Sequence, residues 1–183
     1  MKEICENIID IVNNSISAGA TTVKIEIQEL PQKDLLTLAI TDNGKGMDRV
    51  TLDRIADPFY TTKKGKKIGM GTSLLKYHAE LTGGHFFISS QSGSGTKVIA
   101  EFGLTHLDRQ PLGDITGTLL LFLTSNPKLH LVYKHTTAIN TFTLDSLELQ
   151  EALGGIPLNQ PELRPILIEF INNNLQEIGV TKD

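Results

Sequence analysis

A change of hydrophobic period near residue 20 constrains this chain more than any other feature. Ile4, Ile8, Val12 and Ile16 recur every four residues with Ile9 beside them, which places an apolar stripe along one helix. Gly19 follows as the C-terminal stop. The period then drops to two, because Val23, Ile25 and Ile27 alternate with polar residues over 22–29. A second strand is expected over 35–41, with Pro31 in the turn between them.

The same order repeats. A glycine-containing loop over 42–48 leads to a short helical stretch near 50–56 and a lysine-rich loop over 61–68. A second long helix opens at 69–72, carries Leu74, Leu75, His78 and Leu81 on one side, and ends at Gly83 and Gly84. Strands over 85–90 and 96–102 follow, joined by a Gly-Ser turn. Helix, two strands, helix, two strands predicts an α+β fold: a two-layer α/β sandwich with helices on one face of a four-stranded, mixed but mostly antiparallel sheet. The order excludes βαβ alternation, and no GxxxxGK[ST] motif is present.

From about residue 107 the character changes. A helix is expected over 113–123 and a hairpin over 129–134 and 140–144. Asp145 begins a further helix that Gly154 and Gly155 stop, and a last one starts after Asn159, with Pro161 in its first turn, and runs to 178. The chain is thus expected to divide into a principal unit, 1–105, and a small α+β C-terminal extension, 106–183.

Charge supports that division and narrows the partners. Residues 1–104 hold 12 Lys/Arg against 12 Asp/Glu, while residues 105–183 hold 5 against 9 and carry the whole net charge of −4. An acidic segment without a basic stripe argues against a nucleic-acid surface. No apolar run approaches the roughly 20 residues that span a bilayer. Residues 1–10 show no secretory leader, and the one cysteine, Cys5, reads as a small core residue. A cytoplasmic protein with no membrane partner is expected.

Four constellations carry chemistry. Asn13, Asn14 and Ser15 are poor helix formers in mid-helix, and Asn7, Asp10, Asn14 and Ser17 line one polar face. A solvated face is one reading; it would ordinarily use Glu, Lys or Gln, so a functional site is the other. Asp42-Asn43-Gly44-Lys45-Gly46-Met47 is either a tight turn or a loop whose glycines let backbone approach a flat ligand while a carboxylate meets a donor. Gly69-Met70-Gly71-Thr72 opens a helix as an anion site would, and Lys63, Lys64, Lys66 and Lys67 precede it. Gly93-Ser94-Gly95-Thr96 reads as a hairpin turn.

Taken together these motifs resemble those of the GHKL ATPases, the family of histidine kinases, type II topoisomerases, Hsp90-like chaperones and mismatch-repair ATPases. The run from Asp10 through Asn13, Asn14 and Gly19 is similar to their N box. Asp42-x-Gly44-x-Gly46 looks like their G1 box, Asp57-Pro58-Phe59-Tyr60-Thr61-Thr62-Lys63 the histidine-kinase F box, Gly69-x-Gly71 the G2 box, and Gly95-Thr96 the last Gly-Thr element. Five motifs in the family's order across residues 3–104 are far harder to produce by chance than any one.

The resemblance implies a Bergerat-type sandwich that binds ATP and Mg²⁺. Asp42 would accept from the adenine amino group, with Thr96 supporting a bridging water. Gly44, Gly46 and Met47 would border the base, and Asn14 would ligate the metal. Gly69, Gly71 and Thr72 would hold phosphates, Lys63 or a neighbouring lysine would close on them, and Phe59 would pack beneath the lid. Asp10 stands where hydrolysing members carry a Glu that activates water, and its reach is shorter.

Some positions depart from the pattern. Ser17 stands where ATPase members carry Asp, Ser73 replaces the third G2 glycine, and the lid is short. No phosphoacceptor segment fits in the nine residues before Asp10, and His78, His85, His106, His130 and His135 lack an acceptor-like context. The expected function is therefore an ATP/Mg-binding, histidine-kinase-like protein in signalling or as an accessory, transferring phosphate to a protein partner in trans. A slow ATPase and a nucleotide-gated binding module without turnover are the alternatives.

Overall fold

A computed structural model describes residues 2–54 and 70–180. Helix α1 (Ile4–Ser17) buries Ile4, Ile8, Ile11 and Val12, each contributing about 1.5–3 kcal/mol of apolar burial. Its end is a Schellman turn. Gly19 takes φ 79°, its N–H donates to Ile16 O, and the N–H of Ala20 donates to Ser15 O. Glu3 offers no side-chain cap at the other end. Instead the N–H groups of Ile4 and Cys5 donate to Pro111 O and Leu112 O at 2.9 and 3.0 Å, so a distant segment caps the helix.

Strands β1 (Thr22–Leu30) and β2 (Leu35–Asp42) form the expected hairpin, closed by a 3-10 turn over Pro31–Lys33. Then come α2 (Arg49–Arg54), α3 (Met70–Leu81), β3 (Phe86–Gln91), β4 (Gly95–Gly103), α4 (Ile115–Ser125), β5 (His130–Thr136), β6 (Thr141–Asp145), α5 (Ser146–Ala152) and α6 (Arg164–Glu177).

The sheet has six strands rather than four, in the order β3-β4-β2-β1-β5-β6. β5 lies parallel beside β1, in register from Thr22 opposite His130 to Gln28 opposite Thr136, and every other pair is antiparallel. Without β5, the backbone groups along that side of β1 would form an open edge. The pairing joins residues more than 100 positions apart, which no local pattern reveals. One face is apolar and helix-covered: Val23, Ile25, Ile27, Leu36, Leu38, Ile40, Ala100, Phe102, Leu131 and Tyr133 are all buried. The opposite face is polar and partly exposed, as with Lys24 and Glu26, paired at 2.8 Å. This is the α+β sandwich that the period change predicts.

Two starts near the C-terminus follow side-chain chemistry. Pro165 has no N–H with which to extend an α-turn back over Pro161, so Pro161–Leu163 closes as a 3-10 turn and α6 begins after it. Asp145 caps α5 by accepting from the N–H groups of Leu147 and Glu148, and its other oxygen lies 2.8 Å from His130 Nε2. Burial pushes this carboxyl up, but the hydrogen bonds from His130, Leu147 and Glu148 outweigh it and hold the group below its ordinary value of 3.8. A depressed folded-state pKa means stabilisation present above 3.8 and lost as pH falls through the lower folded value. Asp145→Ala is accordingly expected to cost about 1 kcal/mol in urea unfolding at pH 7, with the difference vanishing in strong acid. No helix of the described residues is long and apolar enough to cross a membrane.

Candidate functional site

Three strands carry a polar residue at one end of their inward-facing rows, on the helix-covered face. Ile88 gives way to Ser90 on β3, Val98 to Thr96 on β4, and Ile40 to Asp42 on β2. Ser90 pairs with Thr96 and Thr96 with Asp42, so the three form one row across the sheet. Ser15 of α1 reaches this row: its hydroxyl donates to Asp42 Oδ2 at 2.7 Å. The other carboxylate oxygen, Oδ1, accepts the N–H of Gly44 at 2.8 Å. Asp42 is therefore held by both oxygens.

The loop after Asp42 is fastened on two sides. Asn43 accepts from the N–H groups of Thr21 and Thr22, both at 2.9 Å, and donates to Thr21 Oγ1. The N–H of Lys45 donates to Ala18 O at 3.0 Å, while Lys45 O accepts from Gly93 N at 2.7 Å. The N–H of Met47 donates to Ser90 Oγ at 2.8 Å. Glycine is required twice here. Gly46 has φ 63°, and a Cβ on it would overlap the backbone oxygen of Gln91; Gly95 has φ 92°, and a Cβ on it would overlap the backbone oxygen of Asp42. Both glycines let one backbone lie against another.

A second polar group lies one turn earlier on α1. Asn14 Nδ2 donates to Asp10 Oδ2 at 3.3 Å. The N-terminal turn of α3 approaches so closely that a Cβ on Gly71 would overlap this carboxylate. Thr72, next on α3, is 8 % exposed. The polar stripe of α1 thus divides into three. Asn7 is fully buried and donates to Gln110 Oε1 and Glu3 O, both at 3.2 Å. Ser17 is exposed and turns back on Asn13 O, while Asp10 and Asn14 face α3.

Among the described residues no cluster of three or more His, Cys, Asp or Glu could hold a metal. The Asn14 amide and the Asp10 carboxylate offer hard oxygen donors. Such a pair suits a cation that takes one or two protein ligands and completes its shell with phosphates and water, as Mg²⁺ does. Cys5, in the first turn of α1, is buried with its thiol pushed up to about 12 by burial, and is a core residue.

Residues 1–106 match the family model described as histidine kinase-, DNA gyrase B- and HSP90-like ATPase. The chain belongs to this family. Similar relatives are sensor proteins. Sensor kinase CckA of Brucella abortus is 35 % identical over 79 residues, 43 % of this chain and 8 % of that protein. Sensor protein kinase FleS of Pseudomonas aeruginosa is 38 % identical over 56 residues, 31 % of this chain and 14 % of that protein. Sensor protein DegM of a Bacillus species is 32 % identical over 99 residues, 53 % of this chain and 26 % of that protein. The matched segments span about a quarter or less of these relatives. The N-terminal domain of a DNA repair protein shares the fold, with a TM-score of 0.53 at 15 % identity, over 79 % of this chain and 52 % of the other.

In this member of the ATPase family, the residues singled out from sequence fall into two described groups. Asp42, Gly44, Gly46, Met47 and Thr96 gather where β2 ends and β4 begins, and Asp10, Asn14, Gly71 and Thr72 gather where α1 meets α3. Phe59, Lys63 and Gly69 lie outside the described residues. Sequence reading did not select Ser15, Asn43 or Ser90 as site residues. Ser90 left a signal, since it occupies the inward phase set by Phe86 and Ile88, where an apolar residue would ordinarily stand.

Proposed function

We propose that this chain binds ATP with magnesium and transfers the γ-phosphoryl group to a protein partner in trans, in signalling or as an accessory. The observation that carries the reading is Asp42, whose two oxygens are fixed by Ser15 and Gly44 so that its acceptor character is turned to a ligand's donor. Asp42 accepts from the adenine amino group beside Thr96. Gly44, Gly46 and Met47 border the base, and the N–H groups at the start of α3, near Gly71 and Thr72, hold phosphates. Asn14 holds the metal, while Lys63 and Phe59, to which the family resemblance gives closing on the phosphates and packing beneath the lid, fall outside the described residues. Magnesium, when bound, neutralises charge on the phosphates; the protein's own contribution is positioning and electrostatics.

Asp10 takes a positioning role in this reading, because its carboxylate already receives the Asn14 amide and lies against Gly71. That engagement also supports the second reading, a nucleotide-gated binding module, over a slow ATPase. Three of the five histidines are already engaged by protein groups. His135 is fully buried with both ring nitrogens bonded, His130 is bonded to Asp145, and His106 accepts from Asp108 N.

Incubation with Mg²⁺ and γ-labelled ATP, alone and with extract from the source cell, separates the readings. Label on a protein is the expected result; released phosphate would make the chain an ATPase, and bound but intact ATP would leave the gated module. Gly71→Ala is expected to displace the Asp10 side chain, break its bond to Asn14 and weaken ATP binding about tenfold in calorimetry, with a thermal melt reading any cost to the fold.

A further inference from the structure

The row Ser90, Thr96, Asp42 contains a hydrogen-bond polarity that fixes what kind of base edge it can receive. A serine hydroxyl has one proton and two lone pairs. Ser90 Oγ lies 2.9 Å from Gly95 O, which can only accept, so the serine proton goes there. One lone pair receives the Met47 N–H at 2.8 Å. Thr96 Oγ1 lies 2.9 Å away, and the one function left to Ser90 is to accept its proton. Ser90 is then saturated, and Thr96, with its own proton committed, turns only lone pairs toward the site. Asp42 beside it is likewise an acceptor.

We infer that Ser90 is a positioning residue that sets base specificity: by taking the Thr96 proton it makes the Asp42–Thr96 edge acceptor-only, which admits a 6-aminopurine and rejects a 6-oxopurine. The 6-amino group presents donors there, whereas a 6-oxo group presents an acceptor that would face two acceptors. A site built to receive a donor discriminates strongly against an analogue that lacks it, because its buried polar groups are left unpaired. The inference rests on the nucleotide-binding reading above and adds to it a residue and the chemistry it controls.

The test is calorimetric titration of the intact chain with Mg-ATP and Mg-ITP, which differ at the purine 6-position. Wild type is expected to prefer ATP. In Ser90→Ala the Thr96 hydroxyl regains its freedom to donate, and the ATP-over-ITP preference is expected to shrink about tenfold. Ser90→Thr, which keeps a hydroxyl, is expected to restore it. Thr96→Val, tested independently in case Ser90→Ala does not fold, should narrow the preference as well. A purely structural role for Ser90 would lower the urea midpoint and weaken both nucleotides alike, and that result would overturn the proposal. So would an unchanged preference in either Ser90→Ala or Thr96→Val while wild type binds ATP and Asp42→Asn does not. Wild type that binds neither nucleotide would overturn the ATP reading itself and this inference with it.

Discussion

His135→Phe is expected to destabilise the protein by about 3–5 kcal/mol, read as a lower urea midpoint at unchanged slope. His135 is fully buried at the junction of β1 and β5, with Nε2 2.8 Å from Glu29 Oε1 and Nδ1 2.7 Å from the Tyr133 hydroxyl. Burial, and then the nearby Cys5 and Glu29, hold the Tyr133 phenol well above its ordinary value, so it stays protonated and, with the imidazole in its Nε2–H tautomer, donates to Nδ1. The ring then gives its Nε2 proton to Glu29. Phenylalanine fills the volume but removes a donor from Glu29, which is 3 % exposed, and the acceptor from Tyr133. A buried group stripped of a partner keeps its desolvation cost without the compensating bond. Replacing the network together, as Glu29→Leu, His135→Phe and Tyr133→Phe, should recover most of the loss. A shift of His135→Phe below about 1 kcal/mol would mean the network is not the dry, coupled group described.

Asp42→Asn is expected to weaken ATP binding by roughly 30- to 1000-fold, equivalent to about 2–4 kcal/mol, with little change in thermal stability. The substitution keeps the shape but replaces one acceptor oxygen with an amide that donates. Either the Gly44 N–H and Ser15 hydroxyl or the ligand's amino group then faces a donor. Calorimetric titration with Mg-ATP reads the affinity and a thermal melt reads the fold. Retained affinity would remove Asp42 from the base-binding role. Loss of affinity together with a collapse of the melt would assign it to the scaffold instead.

Much of the fold was legible because local periodicity reports which face of an element is buried. The stripe of α1, the alternation of β1 and β2, and the turn glycines Gly19 and Gly95 each lie where the structure has them. Asp42 and Thr96 were singled out for a different reason: the motifs that carry the family resemblance are compact in sequence, and the base-binding role of the two residues remains part of the proposal. The specific partners of Ser15 and Ser90 were not legible, because each is a small hydroxyl residue that meets a partner 27 and 6 positions away respectively. Asn7 shows the converse. Its place on a polar stripe suggested kinship with Asp10, yet the structure buries it against Gln110, which is 103 residues distant.

Sequence by itself determined the α+β alternation, the covered and open faces of the sheet, and the ATPase-family resemblance across residues 3–104, because these depend on side-chain period and on motifs short enough to read locally. Tertiary structure alone decided that β5 closes the free side of β1, that Pro111 and Leu112 cap α1, and that the Ser90 and Thr96 hydroxyls meet at 2.9 Å. Each of these is a hydrogen bond between groups that no local pattern pairs. Unsatisfied backbone and hydroxyl groups must find partners once buried, and which partner is within reach is settled only when the chain has packed.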